Sequence, residues 1–456
     1  MRIVVTVSDQ AWGGKHRYMF DIAAGLQQLG HEVVVVAESG GRMASRCRAA
    51  GMPCLESPPF AQQPDAAAEV VRTALSSAPA GVLIATGRHD MAVVHTAAPV
   101  GESASPVVVF RHSAFELEQD GPARALLDRA DLVFATSREQ LERQFPADPR
   151  AEVLMSGVSQ YWRERTAAVD RGAASERLGV APDAFVFAVL ARLSWEKGVD
   201  RVLRAFAALG PDAEDPVLVV AGDGEEADAI ARLAGELGVA DRVRLLGHVD
   251  DAGVADVIVA ADAVVLASTV AETGPLVLKE AMAAGRAVVA SRIGGIGEFV
   301  TDGESGLLVG DDDELVSAMR ALTLDASLVA RLGKRAQAVI EEGHLLERRV
   351  RHLGDRLSVL AIRALPLHDV LGELSFDEVR CRPEAASGLV FVPHTSQLTE
   401  LDSRTFDVVA AAVGDADPRA VATLGDTDAR ATAELLYDMG ALSHAGLRKA
   451  VSGSGW

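Results

Sequence analysis

AETGPLVLKEAMAAGRAVVA, residues 271–290, decides how this chain is read. Two glutamates, Glu272 and Glu280, flank a Gly-Pro pair, and a run of small and apolar residues follows. Carboxylates beside core-like sequence cost stability unless they are paired or hold something. Pro275 suits the first position of a helix, where the missing amide has no intrahelical partner. Gly274 lets another group approach the backbone closely. The free amides of Leu276 and Val277 then form a helix mouth that attracts anions. Glu280 lies about 8 Å up that helix, at roughly 1.5 Å per residue. Its side chain leans back toward the mouth, as helical side chains do. A carboxylate there suits ribose hydroxyls, because an ionised carboxylate only accepts hydrogen bonds. Glu272, in the loop before the helix, can reach sugar hydroxyls or positive charge developing at an anomeric carbon.

The flanking sequence supplies the frame. DAVVLAS (262–268) precedes the stretch and AVVAS (287–291) closes it. FVFAVLA (185–191), PVLVVAG (216–222), RVRLL (242–246) and GLLVG (306–310) complete six strand candidates with helical patterns between them. Such alternation predicts a doubly wound parallel sheet. In the common order 3-2-1-4-5-6 the first and fourth strands are neighbours, and ligands bind outside their carboxyl ends. The loops concerned are ARLSWEKGVD (191–200) and STVAETGPLV (268–277). Arg192 and Lys197 are therefore expected to face Glu272 and the helix mouth. Two cations and a helix N-terminus around one crevice match a diphosphate.

The first half reads the same way. RIVVTVS (2–8), HEVVVVA (31–37), GVLIA (81–85), PVVVF (106–110), DLVFA (131–135) and EVLMS (152–156) are its strands. The loop DQAWGGKH, with Gly13 and Gly14, joins the first strand to the first helix, where phosphates often sit. Residues 160–183 have poor periodicity and read as a linker. Three helical stretches run from Asp311 to Leu365, the last long enough to cross back to the first unit. Past Pro366 the texture changes to a hairpin, GLVFVPHTSQLTEL, and three short helices, a small α+β winged-helix-like appendage. The expected units are residues 1–160, 161–345, a crossing helix 346–365 and the appendage 366–456.

Composition narrows the partners. A net charge of -21 repels nucleic acid and anionic lipid. No apolar run reaches the roughly 18 residues of a membrane span. MRIVVTVSDQ lacks a signal-peptide apolar region, and three scattered cysteines suit a reducing cytoplasm. Asp-x-Asp matches begin at Asp311, Asp415 and Asp426, all at helix starts where aspartate caps are ordinary, so no metal site is expected.

With these residues in hand, the chain resembles the GT-B glycosyltransferases, specifically the large retaining group called family 4, over about residues 1–365. The resemblance rests on the Glu-x7-Glu of ETGPLVLKE, on ARLSWEKG, on SRIGGIGEFVTDGESGLLVG and on GGKHRYMFDIAAGLQQLGHEVVVVA. It implies two Rossmann-like domains facing a cleft, with a UDP- or GDP-linked sugar as co-substrate. By the same resemblance Arg192 and Lys197 bind the diphosphate, Glu280 the ribose and Glu272 the transferred sugar. Gly13 and Gly14 close over the donor, and His112 of VVVFRHSAF reaches the reaction centre. A resident cofactor is not implied, because cations and helix amides neutralise the leaving group. Departures are Ala191 for glycine, Gly274-Pro275 for Phe-Gly, Ser156 and Ser159 for Asn and Asp, and Ala287 and Gly297 for prolines.

The acceptor stays open between a soluble small molecule, a peptide and a carrier-bound natural product. The appendage holds 14 acidic and 7 basic residues, which argues against DNA. It resembles PqqD-like peptide-recognition domains, yet it can equally well only pack or support a homodimer. Competing functions are a sugar-nucleotide epimerase, a phosphorylase and a catalytically idle binding module. No pyridoxal-phosphate lysine motif is present for a phosphorylase, and an epimerase would lack the Arg/Lys segment and the Glu-x7-Glu register.

Overall fold

Runs of Val, Ile and Leu buried on both faces dominate the strands, which is the signature of a parallel sheet covered by helices on each side. The computed structural model describes residues 1–8, 12–76, 81–99, 105–210, 216–365, 367–372, 374–384 and 387–444. The first part of the DQAWGGKH loop, residues 9–11, and the SGSGW tail lie outside these described residues.

The first sheet is built from β1 (Arg2–Val7), β2 (Glu32–Glu38), β3 (Cys54–Ser57), β4 (Val82–Ala85), β5 (Val107–Arg111), β6 (Leu132–Ala135) and β7 (Ala151–Val153). Its order is β3-β2-β1-β4-β5-β6-β7, all parallel. Alternation along β1 sends Ile3 and Val5 to one core and Val4 to another, so both faces are dry. β3 is an addition to the sequence reading. It is a four-residue edge strand with too little pattern to announce itself.

The second sheet comprises β8 (Val186–Leu190), β9 (Val217–Ala221), β10 (Val243–Gly247), β11 (Ala263–Leu266), β12 (Ala287–Ser291) and β13 (Leu307–Val309). Its order, β10-β9-β8-β11-β12-β13, is the expected 3-2-1-4-5-6. Cores on its two faces again separate Ala188 from Phe187 and Val264 from Val265.

The expected linker is not a linker. Helices Gln160–Ala167 and Arg171–Arg177 occupy it, capped by Ser159 and Asp170 through hydrogen bonds to Trp162 N and Ala173 N. Helices this short show little periodicity, and tertiary packing around Trp162, which is buried in the second unit's core, holds them.

The long helix Leu346–Ala364 crosses back to the first unit and packs on α1 (Gly14–Gln28). Gly25 permits the approach, because a Cβ there would stand 2.7 Å from a Val350 methyl. The residues that follow form β14 (Leu374–Phe376), β15 (Arg380–Pro383), β16 (Ser387–Val392), β17 (Gln397–Asp402) and β18 (Leu442–His444). The expected hairpin is β16 paired with β17, from Ser387↔Asp402 to Val392↔Gln397, with β15 on its other edge. Helices Ser403–Asp415 and Asp426–Asp438 follow, separated by a 3-10 segment Pro418–Leu424. Phe406, Val409 and Leu436 of this region share one core with Leu353 and Leu357 of the crossing helix and Ile22 and Leu26 of α1.

Candidate active site

β8 and β11 pair through Ala263↔Phe187 and Val264↔Ala188, so their loops meet at the carboxyl edge. The loop after β8 turns through Trp195–Lys197 into Gly198 at φ 61°. A Cβ on Gly198 would lie 2.1 Å from the Ala267 carbonyl oxygen, so only glycine lets the two loops approach this closely. Lys197 Nζ consequently reaches Glu272 Oε1 at 2.6 Å. Ser268 Oγ donates to the same oxygen at 2.6 Å. The glycine-rich segment backs the glutamate, with Gly295 N donating to Glu272 O at 2.7 Å.

Arg192 behaves differently from expectation. It is two-thirds exposed and pairs with Glu196 at 2.5 Å rather than with Glu272. The 3-10 turn Trp195–Lys197 brings Glu196, four residues on, within reach of Arg192.

The mouth helix runs Leu276–Ala283, with Pro275 as its cap at φ −61°, so the helix begins one residue later than the sequence suggests. No side chain among the described residues caps it, so the amides of Leu276 and Val277 open the helix as expected. The glycine loop lies over this mouth: a Cβ on Gly14 would stand 3.9 Å from Leu276 Cβ. Gly13 caps α1 in extended backbone.

Glu280 is buried, and its partner comes from the other unit. Arg17 of α1 donates to Glu280 Oε1 at 2.6 Å and to Asp251, and stacks 4.7 Å above the Trp162 ring. Arg46 of α2 (Arg42–Ala49) binds the other oxygen of Asp251 at 2.5 Å and lies over Trp12. Burial works against the charge on Arg17, but Glu280 and Asp251 outweigh it and raise its pKa. Asp251 is held low against its own burial by Arg17 and Arg46. Asp21, one turn along α1, is pushed up to about 7 by burial, with Glu280 adding to the effect. Arg17, Arg46 and Asp251 were missed by sequence reasoning. The one available hint was the position of Arg17, a single turn after Gly14.

His112 follows β5, stacked on Phe110 and edge-on to Tyr18. Its Nε2 is buried and has no hydrogen-bond partner among the described residues. Burial, aided by Lys15 and Arg111, pushes its pKa down to about 3, so the ring is neutral. Its carbonyl accepts from Thr273 Oγ1 at 3.0 Å, which joins the His112 loop to the Glu272 loop. The structure thus gathers His112, Glu272, Lys197, Glu280, Gly14 and the helix mouth at one interface between the units, and leaves Arg192 at its rim. Among the described residues no group of three or more His, Cys, Asp or Glu side chains is placed to hold a metal ion. No described helix is long and apolar enough to cross a membrane.

Comparisons with known proteins bear on this arrangement. Residues 12–159 match the family described as Glycosyltransferase Family 4, and residues 170–339 match Glycosyl transferases group 1. D-inositol 3-phosphate glycosyltransferase 2 of Catenulispora acidiphila is 36% identical over 201 residues, 41% of this chain and 46% of the relative. The D-inositol 3-phosphate glycosyltransferase of Actinosynnema mirum is 40% identical over 181 residues, 38% of this chain and 42% of the relative. The chain spans about half the length of the curated relatives it matches. The solved structure of Anabaena HepE in complex with UDP and glucose superposes with a TM-score of 0.68 at 22% identity, covering 78% of this chain and 99% of that one. Sucrose-phosphate synthase from Thermosynechococcus elongatus gives 0.65 at 20%, covering 79% and 99%.

Proposed function

The chain belongs to the group 1 glycosyltransferases and has their GT-B fold, and on that premise we propose that it transfers a sugar from a nucleotide-diphosphate sugar to a soluble acceptor, with retention at the anomeric carbon. The observation that carries this reading is the Lys197–Glu272 pair beside an uncapped helix mouth, with Glu280 up the same helix. The spacing suits one guest. The sugar would lie against Glu272, the diphosphate at the amides of Leu276 and Val277 with Lys197, and the ribose at Glu280. With Oε1 of Glu280 held by Arg17, the ribose hydroxyls would be taken by Oε2.

Departure of the diphosphate develops negative charge. Lys197 and the helix mouth would neutralise it, so the reaction needs no metal. Arg192 would add a second cation once it leaves Glu196. The acceptor hydroxyl would attack from the face the leaving group vacates. As the C–O bond to phosphate breaks, a phosphate oxygen would take the hydroxyl proton. Glu272 would stabilise the positive charge at the anomeric carbon, and neutral His112 would hydrogen-bond a sugar or acceptor hydroxyl. The bound UDP and glucose of the Anabaena protein favour a UDP-sugar donor, and the names of the curated relatives put inositol phosphates among acceptors to try. The appendage shares its core with the first unit, which supports a role beside the acceptor, a peptide or carrier-borne natural product included.

Calorimetry with UDP and GDP in the presence of EDTA tests the donor half. Binding of one nucleotide is expected; binding only with Mn²⁺ would contradict metal-free neutralisation. Glu280→Ala and Lys197→Ala should each abolish transfer, and near-normal turnover in either would sink the donor-site assignment.

A further inference from the structure

Lys279 is a fully buried lysine that the reaction above does not use. It sits on the first turn of the mouth helix, and its chain runs back toward the N-terminus. Its ammonium donates to the Ser156 carbonyl at 2.9 Å and to Ser156 Oγ at 3.0 Å. Ser156 Oγ in turn donates to the Gly274 carbonyl at 3.1 Å. Gly274 holds φ 134°, a conformation that disfavours any residue with a side chain, and a Cβ there would stand 3.5 Å from Lys279 Nζ. Ser156 belongs to the first unit, directly before the segment that passes into the second. Three sequence features that stand apart in the chain, Ser156, Gly274-Pro275 and Lys279, are therefore one contact.

We propose that Lys279 is a positioning residue for the donor: through Ser156 it fixes the Gly274–Pro275 bend at the helix mouth, and its ammonium adds positive charge behind the diphosphate. The proposal rests on the donor reading above and extends it to a residue outside the Glu-x7-Glu pair. Among the described residues no carboxylate lies within ion-pair distance of this buried ammonium. It is satisfied instead by Ser156 and by the Phe299 ring, 4.6 Å away. The charged and titratable groups around it are Glu298 on the glycine-rich segment, His344 before the crossing helix and Arg349 on that helix. Glu298 is committed to the backbone amides of Arg138 and Glu139 at 2.8 Å, and Arg349 to the Gly343 carbonyl. Burial, with Arg349 adding to it, brings the ammonium down to about 7. His344 is already held near 4 by burial, with Lys279 and Arg349 adding to it, so the lysine is the group of this cluster that titrates near neutrality.

The consequence is a donor site whose affinity depends on pH through a residue the donor does not touch. UDP-glucose is a suitable probe, because its diphosphate keeps one charge state across the range. Calorimetry of the full chain with UDP-glucose, at about pH 6 and about pH 8, compares the parent with Lys279→Met and Ser156→Ala. The parent should bind on the order of tenfold more tightly at the lower pH, as one unit charge near an anion requires. Lys279→Met should bind as weakly as the parent at high pH and lose most of the pH dependence, the remainder belonging to Asp21 beside the Arg17–Glu280 pair. Ser156→Ala should weaken binding at both pH values while keeping the dependence, because the ammonium remains. A Lys279→Met protein that retains the parent's affinity and pH profile overturns the proposal. A parent that binds no nucleotide sugar at either pH overturns the donor reading, and the proposal with it.

Discussion

Arg17 and Glu280 meet across the two halves of the molecule at 2.6 Å, with both side chains almost excluded from water. The contact means that the carboxylate assigned to ribose is oriented by a residue of the opposite domain. On the proposed donor site, Glu280 would therefore bind ribose as part of a cleft built by both units, not of the second unit alone.

Removing one member of such a buried pair leaves an uncompensated charge. Arg17→Met should lower unfolding free energy by about 3 kcal/mol. Glu280→Gln should do less, because Arg17 keeps Asp251. A double-mutant cycle read by urea denaturation should show coupling of about 1 kcal/mol or more. Strict additivity would mean that the pair contributes packing alone.

Glu272 is expected to act on the developing charge and not on ground-state binding. Glu272→Gln keeps the shape and the contact with Lys197 while losing the charge. Its kcat should fall on the order of 100-fold with nucleotide affinity little changed. A loss confined to KM would reassign Glu272 to simple sugar binding.

Lys279 carries a stability signature separate from its effect on binding. Its folded pKa, about 7, lies below the unfolded value, about 10.4. Between these values the unfolded chain binds the extra proton, so stability rises with pH across that window. Below about 7 both states are protonated and the full penalty is present. Lys279→Met should therefore raise the melting temperature most at pH 6 to 7, with the gain shrinking toward about pH 10. Equal gains at all pH values would mean that the lysine is buried without a perturbed pKa.

The rings of His31 and His444 face each other with centroids 4.4 Å apart, and His444 Nε2 lies 2.9 Å from Ser358 Oγ. Burial, and for His31 its neighbour His444, hold them down at about 2 and about 3. Unfolded histidine takes up a proton near pH 6.5, so stability contributed by the neutral pair is lost as pH falls from there toward about 3. His444→Gln should flatten this acid limb in urea midpoints measured against pH. An unchanged slope would place the acid sensitivity elsewhere.

The C-terminal region should not be removable without cost. Phe406, Val409 and Leu436 belong to the same core as Ile22, Leu26 and Leu353. Deleting residues 366–456 exposes the crossing helix and should lower the melting temperature of the first unit by several degrees or make the protein insoluble. A truncated protein that melts like the parent would show that the region folds on its own core. Point substitutions on the exposed Arg380 and Arg382 are the cleaner way to test acceptor recognition there, since they leave that core intact.

Much of this was legible in the chain itself. Strand runs such as FVFAVLA and DAVVLAS carry their own period, and a general rule for open sheets then brings Lys197 to Glu272. That inference needs only local pattern and topology, and both hold in the structure. The limits of local pattern are equally specific. The helices over residues 160–177 are too short to show a period and exist because Trp162 is buried by its neighbours. Arg192 lies in the segment that points to the crevice, yet its side chain pairs with Glu196, a turn away.

Sequence alone determined the two doubly wound units, the crevice between β8 and β11, and the identity of the helix whose mouth opens there. Tertiary structure decided what grips that helix. Arg17 reaches Glu280 from 263 residues away, Arg17 reaches Asp251 from 234, and Lys279 reaches Ser156 from 123. Pairs so distant leave no periodic trace, because burial and ion pairing depend on which surfaces the folded domains bring together, and no local pattern encodes that choice. The Gly274-Pro275 bend shows the division most plainly. In the chain it is a missing amide, whereas in the fold it is a bend held by a serine of one domain and a buried lysine of the other.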